Sequence, residues 1–423
     1  MTPAVKCLIV LAIVALLFIT ELIPLAITAM SGAIACGLLG FIPAKQVFSG
    51  LSDSTVVLFA GMFVVGAAMF HTGLAQKIGI SIVRFSGTRE NSLMFGIMIV
   101  GAGLSSVLSN TGTAACLMPV VLGICAAAKI PASRQLMPLA YAAGVGGIIT
   151  LVGTPPNIIV SGALKSFGYE PFSFFEFAWI GIPITVVAII YMMFLGKYLL
   201  PKAELDADQE IEQEIEATVH DGKKQIISGL ILIVVVLVMA LDIKGISLEM
   251  AAIIGALVCV LSGCLTEKQA YSSIDWVTIF LFAGMMPVSQ AMDKTGAGKL
   301  IAEWAVSLMG GAPTPIIMTA VLFIISCGLT QFMSNTAAAA LLAPVGVAIS
   351  QQLGASPKAV LMAIGVAASC AFATPVGTPP CTLVLGPGNY KFMDYVKVGV
   401  PLVILCFIVS IIVIPMVWPF FPG

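Results

Sequence analysis

The sequence 108-LSNTGTAACLMP-119 recurs as 333-MSNTAAAALLAP-344, and this repetition indicates how the chain is organised. Both copies place Ser, Asn and Thr among apolar residues, carry no charge and end on a proline. The SNT triplets begin at positions 109 and 334, and a VGTPP motif also occurs twice, at 152 and 376. Landmarks that keep their order and spacing across half a protein indicate that one unit has been duplicated.

The composition predicts a polytopic membrane protein. The 423 residues are 60% hydrophobic and 9% charged, with a mean hydropathy of +1.11. Successive apolar stretches are each long enough to cross about 30 Å of hydrocarbon as a helix of roughly 20 residues. The net charge of -1 leaves no basic surface for a nucleic acid. The ten cysteines include no CxxC pair, which is typical of small buried side chains rather than a metal site.

The duplication extends beyond the two motifs. Residues 44–73 and 267–296 share KQ, FAGM and TG in the same order. We therefore predict a first repeat over 1–201 and a second over 225–423. The linker between them, 202–224, holds eight of the 20 acidic residues and is predicted to be cytoplasmic.

The predicted fold is an all-α polytopic membrane protein with two inverted repeats. Each repeat has about five transmembrane helices plus a re-entrant helical hairpin at SNT and a broken helix at GTPP. An odd number of crossings inverts the second repeat relative to the first. A cytoplasmic linker places 12 Lys and Arg residues inside and seven outside, with both termini outside. Inverted repeats with matched broken helices are typical of secondary transporters, and a channel is the alternative.

The helix ends at the two motifs suit an anion. Non-helical backbone within a bilayer is tolerated where it lines a polar cavity, and Ser, Thr, Asn and Pro favour helix starts. A helix N-terminus offers free N–H groups and about half a positive charge, so it can hold a carboxylate or sulfate oxygen without Lys or Arg. The predicted substrate-binding residues are Asn110, Thr111, Thr154 and Pro155, with Asn335, Thr336, Thr378 and Pro379 as their counterparts.

A hydroxyl residue precedes each triplet by one helical turn, so its side chain is predicted to point back toward the triplet. Hydroxyls and freed carbonyls are the oxygen ligands that sodium prefers. The predicted sodium ligands are Ser105, Ser109, Asn110 and Gly153 in one site, and Thr330, Ser334, Asn335 and Gly377 in its twin. The alternative is that these hydroxyls only bond to a carbonyl one turn earlier and that small residues let helices pack. The paired occurrence in register favours the binding sites.

Four ionisable residues near the span ends have simpler interpretations. Asp53 and Asp275 precede apolar spans at matched positions, where they are predicted to cap helices. Glu21 and His71 are predicted to lie at the membrane interface, and a proton relay is the alternative role for them.

With these motifs the chain resembles the divalent anion/sodium symporter family, which is similar to solute carrier family 13 and belongs to the ion transporter superfamily. The resemblance covers nearly the whole chain and includes VGTPPN at 152–157 and SCAFATPVGTPPCTLV at 369–384. It departs at Cys381, where the family has Asn; the first repeat keeps Asn157. The resemblance implies a homodimer, an elevator motion of the hairpins and broken helices, and SNT contacts to both substrate carboxylates and sodium.

We therefore predict a secondary transporter in the cytoplasmic (cell inner) membrane that moves a di- or tricarboxylate such as succinate, malate or fumarate, coupled to sodium ions. Symport of sulfate or another oxyanion and dicarboxylate exchange remain alternatives. A sodium/proton antiporter or arsenite permease of the same superfamily is a further alternative, although antiport would call for an ionisable residue at the midplane. An intramembrane enzyme is disfavoured, because the chain has two histidines and neither an HExxH nor a Walker motif.

Overall fold

The computed structural model describes residues 1–421 except 87, 88, 202–221, 242, 244, 309, 311 and 312. Within these residues the chain is helical and contains no β-strand. The predicted acidic linker lies outside the described residues except for its last three positions. These three belong to a helix that begins at Gly222.

The first half contains ten α-helices within the described residues, besides short 3-10 helices, and the last two are joined by a π-helical segment, Met192–Gly196. They are α1 (Pro3–Thr20), α2 (Leu25–Leu38), α3 (Ser54–His71), α4 (Leu74–Ser86), α5 (Glu90–Ser105), α6 (Asn110–Ala128), α7 (Leu136–Gly146), α8 (Pro155–Ser166), α9 (Ala178–Tyr191) and α10 (Lys197–Leu199).

The second half repeats the order of the long helices. Its helices are α11 (Gly222–Ala240), α12 (Leu248–Leu261), α13 (Glu267–Ser272), α14 (Trp276–Thr295), α15 (Ala297–Leu308), α16 (Pro315–Thr330), α17 (Asn335–Leu353), α18 (Pro357–Ala368), α19 (Pro379–Leu385) and α20 (Phe392–Val417). Helices α5 and α6 have the same lengths as α16 and α17. The two SNT triplets therefore begin helices of identical extent.

The boundaries of α6 and α17 follow from their sequences. Each begins after a serine in extended conformation whose hydroxyl accepts a hydrogen bond from a first-turn N–H. Each ends at a residue in the left-handed region, Lys129 (φ 54°) or Gly354 (φ 62°), which terminates the helix. The capping signals at the two ends are thus duplicated together with the motif.

The two halves are interlocked. Helix α2 packs along α14 of the other half, and α12 packs along α3 in the reciprocal arrangement. Close approach depends on glycines, because a Cβ at Gly61 would lie 2.7 Å from the Ala252 backbone and one at Gly284 would lie 2.6 Å from the Ala29 backbone. Helix α5 packs on α7, and α16 packs on α18.

Seven helical stretches of the described residues are long and apolar enough to cross a membrane, and further apolar helices of 12 to 16 residues accompany them. A helix–turn–helix spans each SNT triplet, as α5 with α6 and α16 with α17, and the re-entrant course of these hairpins remains a prediction. Both GTPP spans are broken, with α7 separated from α8 and α18 from α19. Three of the described helices lie outside the predicted spans, namely α4, α13 and α15. In α4 and α15 polar and apolar residues segregate to opposite faces.

Candidate functional site

A cavity of about 930 Å³ lies where the SNT and GTPP segments of both halves meet. It is lined by both triplets, by Gly153, Thr154 and Pro155, by Gly377, Thr378 and Pro379, and by an aromatic and aliphatic wall on α3. Among its described lining residues none is Lys or Arg, and the titratable ones are Glu21, His71 and Asp275. Apart from His71, any positive potential in this cavity has to come from backbone and side-chain dipoles or from bound cations.

The first turns of α6 and α17 face this cavity. The Ser109 hydroxyl accepts a hydrogen bond from Gly112 N at 3.1 Å, and the Ser334 hydroxyl accepts one from Ala337 N at 3.1 Å. Each helix keeps two earlier N–H groups, those of the Asn and Thr of its triplet, which have no partner within the helix. Both helix starts can therefore donate to an anion.

The serines of the two triplets hold the first turns of their helices. Their hydroxyls cap the helices, and their carbonyls accept hydrogen bonds from Thr113 N and Ala338 N. Within the described residues no hydrogen bond joins the Ser109 or Ser334 hydroxyl to the other predicted sodium ligands, and their role as ligands remains a prediction. Their contribution is to fix the helix start that presents Asn110 and Asn335.

The GTPP segments bring Thr154 and Thr378 to the cavity in nearly the same conformation. Their φ and ψ angles are -143° and 143° for Thr154 and -147° and 139° for Thr378. Neither side chain caps the helix that follows it. Because Pro155 and Pro379 have no N–H, these prolines offer ring carbons to a ligand, while the threonines offer hydroxyls.

The first triplet also contributes to a cluster of oxygen atoms. The Ser105 hydroxyl lies 2.7 Å from Asn110 Oδ1 and 2.7 Å from the Ala143 carbonyl oxygen. The same end of the Asn110 amide lies 3.1 Å from the Gly153 carbonyl and 3.2 Å from the Ala143 carbonyl. The other end, Nδ2, lies 3.5 Å from Thr154 Oγ1. The Asn110 side chain thus connects the cluster with a residue that lines the cavity.

The second half builds the same cluster from equivalent atoms. The Thr330 hydroxyl lies 2.6 Å from Asn335 Oδ1 and 2.8 Å from the Ala368 carbonyl. This end of the Asn335 amide lies 2.8 Å from the Gly377 carbonyl and 3.3 Å from the Ala368 carbonyl. Both hydroxyl residues are fully buried.

Each cluster has more acceptors than protons. One hydroxyl proton serves a single acceptor at a time, so the remaining lone pairs face each other at 2.6 to 3.3 Å. Two arrangements resolve this. The amide turns its nitrogen inward and donates to the carbonyls, or a small cation binds among the oxygens while the amide nitrogen faces the cavity. The second arrangement frees the amide N–H groups for an anion.

The remaining predicted residues lie as follows. Asp53 caps α3 through Thr55 N at 2.8 Å, and Asp275 caps α14 through Val277 N at 3.1 Å, which confirms both capping predictions. Glu21 and His71 are exposed and line the cavity. The structure adds two groups that the sequence motifs did not indicate, the backbone carbonyls of Ala143 and Ala368. A backbone oxygen has no signature in sequence, although the 225-residue offset between the halves relates these two positions.

The fold is shared with transporters of known structure. The YdaH transporter of Alcanivorax borkumensis matches with a TM-score of 0.63 over 95% of this chain and 98% of that one, at 15% identity. MtrF of Neisseria gonorrhoeae, described as illuminating a class of antimetabolite efflux pumps, matches with a TM-score of 0.65 over 100% and 97% at 15% identity. At this identity the match concerns the fold alone.

Sequence relatives agree on the class. An uncharacterized transporter of Haemophilus influenzae is 31% identical, over 94% of this chain and 88% of its own. The uncharacterized transporter YfbS of Escherichia coli is 28% identical, over 97% and 98%. The sodium-dependent dicarboxylate transporter SdcS of Staphylococcus aureus is 27% identical, over 96% and 84%.

The protein is therefore a multi-pass membrane transporter and not an enzyme. The family model described as "Citrate transporter" (CitMHS) matches residues 15–354 and 243–421. The chain belongs to this citrate transporter family.

Proposed function

We propose that the protein is a secondary active transporter that moves a di- or tricarboxylate, of the size of succinate, malate or fumarate, together with sodium ions. One observation carries this proposal. A cavity lined by the helix starts of both halves contains no Lys or Arg among its described lining residues, yet each half places an oxygen cluster beside it.

The anion part follows from the helix starts. Free N–H groups at α6 and α17 and the side chains of both triplets offer donors from two sides of one cavity. Each helix end contributes roughly half a positive charge, which compensates only part of a dianion. An anion with a carboxylate at each end fits two such starts better than a compact monoanion does.

The sodium part follows from charge. Two unit charges 4 Å apart interact by about 4 kcal/mol at an effective dielectric constant of 20, so cations bound in both clusters would strongly favour a dianion. Because Asn110 and Asn335 each belong to a cluster and to the cavity lining, a bound cation fixes the amide orientation that donates to the anion. Sodium binding and anion binding are thereby coupled through the same two side chains.

The relatives and the packing support the remaining features. The printed name of SdcS joins a dicarboxylate with sodium, and the family description names citrate. An elevator motion of the hairpins and broken helices requires α8 to slide against α14, and Gly162 provides the close contact there, since a Cβ would lie 2.7 Å from the Phe282 ring. The inverted orientation of the repeats, the repeat boundaries and the homodimer remain predictions.

The test is uptake of radiolabelled succinate into proteoliposomes under three conditions. These are an inward sodium gradient, the same gradient with potassium instead, and unlabelled succinate inside without sodium. We expect accumulation only with sodium. Uptake that needs internal succinate and not sodium would indicate an exchanger. No uptake of succinate, malate, fumarate or citrate in any condition would refute carboxylate transport. Sulfate symport and then proton antiport would be tested next.

A further inference from the structure

The two oxygen clusters have the same geometry, but different side chains fix the backbone segments that supply their carbonyls. In the first half the fully buried Asn157, on α8, donates through Nδ2 to the Thr150 carbonyl at 2.8 Å and to the Gly147 carbonyl at 3.3 Å. These carbonyls belong to the broken segment that ends in Gly153. The amide therefore fixes the segment that supplies a carbonyl to the first cluster.

The second half has no amide at the matching position. Cys381 stands there, 224 residues after Asn157, and it is fully buried. A thiol is a weak donor and cannot bond to two carbonyls at once. The broken segment of the second half, residues 369 to 378, must be held by another group.

Gln331 is that group. Its Nε2 donates to the Cys370 carbonyl at 3.1 Å, and its Oε1 accepts from Ala373 N at 3.0 Å. Its own carbonyl accepts from the Thr374 hydroxyl at 2.8 Å, and that hydroxyl accepts from Gly377 N at 3.0 Å. The matching position in the first half is Ser106, whose carbonyl accepts from the Thr150 hydroxyl in the same way, but whose side-chain hydroxyl bonds to Gly103 within its own hairpin. The hydrogen bonds of the Gln331 side-chain amide are therefore what distinguishes the second half.

We propose that Gln331 is a positioning residue of the second sodium site and takes over the task that Asn157 performs in the first. The inference rests on the proposed sodium coupling and adds to it. Gln331 directly follows Thr330 in the chain, and its side-chain amide fixes the segment between Ala368 and Gly377 by bonding to Cys370 and Ala373. It thereby sets the distance between the hydroxyl on α16 and two carbonyls of the broken span.

The two amides lie on different elements, and this affects what each one couples. In the first half the amide belongs to α8, the helix whose start lines the cavity. A movement of α8 would therefore also move the broken segment that ends in Gly153. In the second half the amide comes from the hairpin that begins with α16. Loss of Gln331 should therefore weaken sodium binding more than substrate binding. Loss of a group that orients metal ligands typically costs ten- to a hundredfold in ion affinity.

The experiment compares Gln331→Met, which keeps the bulk and removes the amide, with the wild-type protein. We would measure the sodium concentration for half-maximal succinate uptake, the KM for succinate at saturating sodium, and the shift of Tm that sodium produces in the purified protein, with potassium as the reference ion. We expect the half-maximal sodium concentration to rise at least tenfold and the sodium-induced Tm shift to shrink, with the KM changing less than threefold. Gln352→Ala, an exposed glutamine at the end of α17, is the matched control and should behave as wild type.

A second variant tests whether the amides of Gln331 and Asn157 perform the same task. Adding Cys381→Asn to Gln331→Met returns the amide to the position it has in the first half, and we expect at least a threefold recovery of sodium affinity. Unchanged sodium affinity in Gln331→Met, or no recovery in the double variant, would overturn the proposal. A wild-type protein whose uptake and Tm both ignore sodium would instead overturn the proposed function, and the positioning role with it.

Discussion

Replacing Thr330 by Val gives the sharpest test of the cation clusters. The two side chains have nearly the same shape, so the change removes one hydroxyl and little else. That hydroxyl lies 2.6 Å from Asn335 Oδ1 and 2.8 Å from the Ala368 carbonyl, and it is fully buried. A bound sodium ion would lose one of the four oxygens around it.

The size of the effect follows from the value of one charge-assisted contact. Such a contact to an ion contributes about 1.5 to 3 kcal/mol, and each 1.4 kcal/mol is about tenfold in affinity. The half-maximal sodium concentration should therefore rise about ten- to a hundredfold. The fold should survive, because losing the donor to Ala368 costs about 1 kcal/mol of stability.

The assay is initial succinate uptake into proteoliposomes against external sodium, with ionic strength held constant by potassium. Thr319→Val is the matched control. It removes a buried hydroxyl from the same helix, α16, but that hydroxyl bonds only to the Pro315 carbonyl one turn earlier at 2.9 Å. A sodium dependence that is the same in Thr330→Val and Thr319→Val would refute the assignment of the cluster as a sodium site.

Three further predictions concern the same cavity. Asn110→Ala and Asn335→Ala should each reduce succinate uptake by at least a hundredfold while the protein still inserts, since each removes a donor from a different half; full uptake by both purified variants would contradict the shared cavity. Gly153→Ala should impair uptake more than Gly377→Ala, because the added Cβ would lie 2.5 Å from a carbonyl oxygen in the first segment and no closer than 3.0 Å to any atom in the second; equal rates at equal expression would contradict this ranking. Thr111→Cys, at an exposed position of the cavity, should react with a polar maleimide and be protected by succinate with sodium, and labelling that succinate does not slow would place Thr111 away from the substrate.

Much of the site could be predicted because its residues are tied to local backbone rules. Ser, Asn and Thr before an apolar run mark a helix start, and two prolines after Gly and Thr mark another. The structure places these starts at Asn110, Pro155, Asn335 and Pro379, where the motifs indicated them. The serine hydroxyls cap the helices that follow them, and their part in sodium binding remains a prediction.

Other parts could not be predicted because they depend on contacts between distant segments. The carbonyls of Ala143 and Ala368 are peptide groups that any residue provides, and only the packing of α5 on α7 and of α16 on α18 brings them to a hydroxyl. In the sequence, Gln331 is one more polar residue close to the second SNT triplet, and no pattern distinguishes it. Its three bonds to the broken segment appear only when residues 331 and 370 to 374 are adjacent.

The membrane environment, the duplication and the helix starts could be predicted from the sequence, because hydropathy, repeated spacing and capping preferences are local properties of the chain. The packing of the helices sets which oxygen atoms converge and which end of each amide they meet. It also lets both halves contribute to one cavity, through the reciprocal packing of α2 with α14 and α3 with α12. A binding site for small ions depends on distances of about 3 Å between groups far apart in the chain, and such distances are fixed only when the helices pack.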